Sequence, residues 1–213
     1  MASLHLSGIK KVLCLGAHSD DIEIGCGATL LRLIQEQPGL QIHWFVFSAS
    51  GNRAREARQS AGEFLRGTRR PKIRIAHFKE SYFPGQWPAI KNAFEDVKLQ
   101  FEPELVLTHH REDRHQDHRV LSDLAWNTFR NQLVLEYEIP KYDGDLGAPN
   151  VFIPVSREIG GRKVAALLRH FQSQTHKHWF TADTFWALLR LRGVECASPT
   201  GFAEAFYGRK LRL

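Results

Sequence analysis

The strongest constraint in this 213-residue sequence is an alternation through its first 130 or so residues: short apolar runs, each followed by one stretch of helical period. Residues 12–15 (Val12, Leu13, Cys14, Leu15) offer no polar side chain for a solvent face, so they read as a strand covered on both sides, as in a parallel sheet. Residues 25–35 then place Leu30, Leu31, Leu33 and Ile34 at helical spacing, and Pro38 and Gly39 end the helix. Runs 42–47, 73–78 and 105–107 read as further strands, with helices predicted at 53–65, 89–101 and 117–130. Single helices between strands act as crossovers, and crossovers make the strands parallel. The expected fold is α/β, a Rossmann-like doubly wound, mostly parallel sheet with helices on both faces. Past residue 131 the pattern loosens: strands are expected at 133–136 and 151–155 around a Pro, Gly and Asp loop at 139–149, and helices at 159–171 and 181–191. Nothing resembling a linker or a repeat divides the chain, so one domain over residues 1–213 is expected.

Composition narrows the setting. Three widely spaced cysteines, Cys14, Cys26 and Cys196, fit neither a disulfide framework nor a Cys-rich zinc module. No basic segment followed by a long apolar run opens the sequence, and no run of about 18 apolar residues occurs. The expectation is a cytoplasmic protein with no membrane span. The formal charge of +6 is spread over scattered Lys and Arg, densest at Arg69, Arg70 and Lys72, and no RNA- or DNA-binding module is recognisable. A small-molecule partner is expected rather than nucleic acid, and homo-oligomerisation stays open.

Two loops carry the chemistry. After the first strand stand Ala17, His18, Ser19, Asp20 and Asp21, and after the fourth stand His109, His110, Arg111, Glu112, Asp113, Arg114, His115, Gln116, Asp117 and His118. A doubly wound sheet binds ligands beyond the carboxyl ends of its strands, so both clusters belong at one edge. Two imidazoles and one carboxylate with an open fourth position make a catalytic zinc site, where a bound water acquires a pKa of about 7. The same donor set suits iron or another divalent transition metal. Two adjacent aspartates permit one to bind the metal while the other takes a proton. His115 and His118, three apart, share a face if they open a helix, so one can ligate while the other faces a reacting carbonyl.

These residues also carry a resemblance. His18 to Gly27, HSDDIEIGCG, with Ala17 before it, resembles the AHPDD signature of the LmbE/PIG-L family of zinc-dependent N-acetylglucosaminyl deacetylases, and His115 to His118 resembles its HxDH signature. The similarity takes in the strand before the first motif, the apolar helix after it and Ala203 to Phe206 (AEAF). It implies His18, Asp21 and His118 as metal ligands, Asp20 as general base, and His115 as the group that polarises the carbonyl and helps the amine leave, with Asp117 orienting it. It also implies a substrate-binding arginine at Arg53, with Arg55 as the alternative. The sequence departs from the signature at Ser19, where proline is usual, and at Ile22, where glutamate is common and here stands at Glu23.

The expected function is a zinc-dependent hydrolase that removes the N-acetyl group from an N-acetylated amino sugar or its conjugate. The rivals are a metal-dependent esterase or phosphoesterase on the same site, and a non-catalytic metal- or sugar-binding module, against which the intact Asp20 counts. His109 and His110 read equally as donors behind the ligands or as structural histidines. His176, Lys177, His178 and Trp179 read as a connection between helices. Gly25, Cys26 and Gly27 lack the third glycine of a dinucleotide loop, since Leu30 stands there. Tyr137, Tyr142, Asp143 and Asp145 read as a long loop, either one wall of a cleft or plain surface.

Overall fold

The computed structural model describes Leu6 and residues 8–210. Its elements are β1 (Lys11–Gly16), α1 (Asp21–Glu36), β2 (Gln41–Val46), α2 (Gly51–Phe64), β3 (Lys72–Ile75), a 3-10 turn (Phe83–Gln86), α3 (Trp87–Gln100), β4 (Leu105–His109), α4 (Gln116–Thr128), β5 (Leu133–Tyr137), β6 (Val151–Pro154), α5 (Arg157–His170), a second 3-10 turn (Gln172–Gln174), α6 (Ala182–Glu195) and β7 (Ala203–Gly208). All seven strands join one sheet in the order β3-β2-β1-β4-β5-β7-β6. The first five pair in parallel, whereas β7 runs antiparallel to both β5 and β6.

Side-chain alternation along the strands builds two cores. Val12 and Cys14 of β1 join Ile42, Trp44, Leu105 and Leu107 on the face covered by α1, α2, α5 and α6. Leu13 and Leu15 join Phe45, Phe47 and Val106 on the face covered by α3 and α4. Both faces of the central strands β1 and β4 are therefore dry, as their unbroken apolar runs require.

The winding reverses between β1 and β4. From β1 the chain steps outward to β2 and β3, and from β4 it steps the other way to β5. Loops leaving the carboxyl ends of β1 and β4 therefore open a crevice at the switch point. The two motif loops are these.

The structure departs from the sequence expectation in several places, among them α6, which runs on to Glu195 rather than ending at 191. Helix α1 starts at Asp21 rather than at residue 25, because Asp21 suits the positive end of a helix while Ile22 and Ile24 are buried. Strand β3 ends at Ile75 rather than at 78, and residue 77 keeps only an isolated bridge to Ser48. The AEAF segment was not expected to be a strand, yet it lies in the sheet as β7. Gly25 also acquires a reason unrelated to nucleotides. A Cβ there would stand 2.1 Å from the Tyr137 ring, so only glycine lets α1 lie against β5 at this point.

Candidate active site

His18 follows β1, and His115 and His118 open α4 after β4, so the switch point brings residues 100 positions apart into contact. His18 Nδ1 lies 3.1 Å from His118 Nε2 and 3.3 Å from Asp21 Oδ2, and that oxygen is 3.6 Å from His118 Nε2. Ligands about 2.0–2.2 Å from a tetrahedral zinc stand roughly 3.3–3.6 Å from one another, so this triangle has the size that such an ion requires. All three residues are buried.

Each imidazole of the triangle is held from behind by a carboxylate. His18 Nε2 is 3.2 Å from Asp117 Oδ2, and His118 Nδ1 is 2.9 Å from Asp113 Oδ2. Carboxylate partners of this kind fix ring orientation and tautomer and raise ligand basicity. Asp117 is itself pinned, since its carboxylate accepts the backbone N–H groups of Ser81 at 2.6 Å and Phe83 at 3.1 Å. Ser81 is held with φ at +66°, in the left-handed region that a serine rarely adopts.

This arrangement revises the role expected for Asp117. Its carboxylate serves His18 and the 81–83 loop, and its link to His115 is through the main chain: His115 Nδ1 accepts the Asp117 N–H at 3.2 Å. A neutral imidazole that accepts at Nδ1 carries its proton on Nε2, so His115 is a donor. Its ring packs on both His18 and His118, with centroids 4.7 Å away in each case.

The donor atoms of His18, His115 and His118 also lie close together, as do those of Asp21, His109 and His118. The latter trio is the poorer cation site, because His109 Nε2 already accepts the Ala17 N–H at 2.9 Å and its lone pair is used. His109 is fully buried and its ring stacks on that of His118, so it braces the cluster by packing. His110 turns away to Glu136 at 3.0 Å and stacks on Tyr207. Glu23 is fully buried, and burial pushes its carboxyl well above the usual range, favouring the neutral acid.

The electrostatics favour a proton on His18 and none on His118. Burial alone would push His18 down, but Asp21 and Asp117 draw its proton in and hold it up at about 10. Burial and His109 bring His118 down to about 3. Burial and the adjacent Asp21 charge push Asp20 up to about 6, against the pull of Arg53 and Lys177.

A cleft of about 270 Å³ opens over these groups. Asp20, Asp21, His18, His115 and His118 lie at its base, and Arg53, Glu80, Lys141, Tyr142, Asp143, Lys177 and Trp179 line its sides. Arg53 Nε donates to Ser19 Oγ at 3.3 Å, and its guanidinium is paired with Glu80. Arg55 bonds Asn52 instead and does not line the cleft. Tyr142 and Asp143 supply one wall, while Tyr137 lies in β5 inside the core and Asp145 binds Lys141. The 176–179 segment does join helices, yet Lys177 and Trp179 face the cleft, a contribution that the sequence did not reveal. Glu80 was likewise unseen; its one signal is its place after the third strand, at the ligand edge of the sheet. Asp113 carried a clearer signal, two residues before His115.

Fold and site together define a doubly wound α/β protein with a buried His and Asp cluster, able to hold a cation, at the switch point of its sheet. Residues 13–129 match the PIG-L family, GlcNAc-PI de-N-acetylase. The chain belongs to this family of LmbE-like deacetylases. It is 34% identical over 173 residues to the uncharacterized deacetylase YaiS of Escherichia coli K12, covering 76% of this chain and 90% of YaiS. Its fold is similar to that of N,N'-diacetylchitobiose deacetylase from Pyrococcus horikoshii, with a TM-score of 0.71 and 18% identity over 95% of this chain and 84% of that one. It is similar too to GalB, the 4-carboxy-2-hydroxymuconate hydratase of Pseudomonas putida KT2440, with a TM-score of 0.72 and 17% identity over 96% and 98% of the two chains. One scaffold thus carries a deacetylase and a hydratase, so the chemistry has to be argued from side chains.

Proposed function

We propose that this chain is a zinc-dependent N-deacetylase acting on an N-acetylated amino sugar or its conjugate. The observation that carries this reading is the His18, Asp21 and His118 triangle, backed by Asp117 and Asp113 and flanked by one carboxylate, Asp20, and one imidazole N–H, that of His115. A zinc ion bound by the triangle would supply Lewis acidity, lowering the pKa of a water to about 7 and polarising the acyl carbonyl.

The remaining work falls to the chain. Asp20 accepts the proton of the attacking water as the new C–O bond forms. The His115 Nε2–H donates to the acyl oxygen as negative charge develops there. When the C–N bond breaks, a proton returns to the sugar nitrogen, so the products are acetate and a free amine. The Arg53 and Glu80 pair offers a donor and an acceptor side by side at the cleft wall, a combination suited to sugar hydroxyls. Burial of the reacting groups keeps bulk water from competing with these contacts.

The wider reading is one domain in a reducing cytoplasm. Cys14, Cys26 and Cys196 are all free thiols, and among the described residues no helix is long and apolar enough to cross a membrane. The test is acetate release from a panel of N-acetylglucosamine conjugates, run beside matched acetate and phosphate esters. Release from the amides, abolished by a chelator and restored by zinc, is the expected result. Turnover of the esters alone would replace the reading with a metal-dependent esterase.

A further inference from the structure

The charges around the cleft are unevenly matched. Arg53 is neutralised by Glu80. Lys141 Nζ stands 2.5 Å from Asp145, 3.0 Å from Asp113 and 3.8 Å from Asp143, so its charge is spent within the protein. Lys177, on the same cleft, forms no ion pair among the described residues, and its Nζ sits over the Trp179 ring, 5.4 Å from the centroid. Across from it, the exposed Tyr142 ring meets His178 edge-on at 4.9 Å and Trp179 at 6.3 Å. The result is a half-buried ammonium set against an aromatic corner on the wall of the cleft.

We infer that Lys177, seated on Trp179, is a specificity site that takes an anionic group, carboxylate or phosphate, carried by the substituent of the amino sugar. The inference rests on the deacetylase reading above and adds the chemistry of what the sugar bears. An ammonium without a protein carboxylate gains most from an anion that arrives with the substrate, and partial burial reduces the screening that weakens surface pairs. The indole face holds the lysine stem and offers an apolar platform beside the charge. A rival duty for the same charge is to act on Asp20, which it is close enough to influence. The two duties differ in what they predict. An anion site discriminates between substrates, whereas a charge acting on Asp20 affects every substrate alike.

The experiment compares three substrates on the zinc-loaded protein: neutral methyl N-acetylglucosaminide, N-acetylglucosamine 1-phosphate and an N-acetylglucosaminide of a hydroxy acid. Acetate release gives kcat and KM for each. The expected result is a preference for one or both anionic substrates, expressed in KM and weakened by salt. Lys177→Ala should cut that preference by about tenfold, the order of one charge-assisted contact, Lys177→Glu should abolish it, and Lys177→Arg should retain most of it. Which anionic substrate shows the effect identifies the group as phosphate or carboxylate. Equal losses on all three substrates, or an unchanged preference in Lys177→Ala, would overturn the inference and leave the deacetylase reading standing. No acetate from any of the three would overturn both.

Discussion

The Asp117 carboxylate approaches His18 Nε2 at 3.2 Å while the other nitrogen of the same ring faces His118 at 3.1 Å. One imidazole is thus gripped on one edge and offered on the other. If His18 is a ligand, Asp117 acts on the metal through it. Asp117→Asn should weaken zinc binding by roughly 10- to 100-fold, and Asp113→Asn, behind His118, should do the same. Competition with a calibrated chelator reads this directly. Full zinc affinity with a reduced kcat in Asp117→Asn would return Asp117 to the role of orienting His115.

The adjacent carboxylates Asp20 and Asp21 should separate cleanly. Asp20→Asn leaves all three donor residues in place, so zinc should stay bound while kcat falls by about 10²- to 10⁴-fold. Asp21→Asn replaces the anionic donor with a neutral amide and should lose the metal. Zinc content measured beside kcat for both variants decides the assignment. A metal-free Asp20→Asn with a loaded Asp21→Asn would reverse it.

A buried ion pair fixes α1, the helix that starts at Asp21. Lys163 of α5 lies 2.6 Å from Glu204 of β7 and donates to the Ile24 carbonyl at 2.6 Å, while Glu204 accepts the N–H groups of Ala28 and Thr29. Lys163→Met leaves a buried carboxylate unpaired and should cost about 3–5 kcal/mol. Urea unfolding monitors the loss, and Lys163→Met combined with Glu204→Gln should recover part of it. Additive losses would show that the two residues do not act as a pair.

Glu136 gives the fold an acid-sensitive point away from the site. Burial would raise its carboxyl, but His110, the Arg111 N–H and Trp126 bond it, the Arg111 charge faces it, and together they bring it from 4.5 down to about 2. Arg209 approaches the same carboxylate at 3.4 Å. A depressed folded pKa means that the unfolded chain binds the proton first. The stabilisation is therefore complete above about pH 4.5 and is lost as pH falls towards 2. Glu136→Gln should be less stable at neutral pH and should show a shallower decline across that window. Chemical unfolding at half-unit pH steps measures it, and parallel wild-type and variant curves would remove Glu136 as the cause.

Much of this molecule could be read in advance because its parallel strands carry local signals. Val12 to Leu15 has no polar residue, and a strand covered on both faces allows none. The two motif loops could be assigned to one edge because crossovers make the strands parallel, which puts their carboxyl ends on the same side of the sheet. What stayed hidden depends on tertiary contact. Strand β7 holds a buried Glu204 among small residues, and that glutamate makes sense only beside Lys163 and the α1 backbone. The Asp117 partner could not be chosen from spacing, since a carboxylate two residues after His115 is within reach of its ring, and the Ser81 and Phe83 N–H groups that aim it elsewhere lie over 30 positions away. Glu80 comes to the cleft from one connection, and Lys177 and Trp179 from another, with no shared motif.

The place of β7 between β5 and β6 has a consequence for synthesis on the ribosome. Strand β6 leaves the exit tunnel about 50 residues before β7, yet β7 is its pairing partner in the sheet. Until residues 203–208 emerge, β5 presents an open, largely apolar edge and β6 has nothing to dock on. The parallel half can assemble during elongation, but the sheet can close only once β7 has emerged. A pause in translation upstream of β7 would hold the nascent chain in the state with that edge bare, which is where a chaperone, or another unfinished copy, would find it.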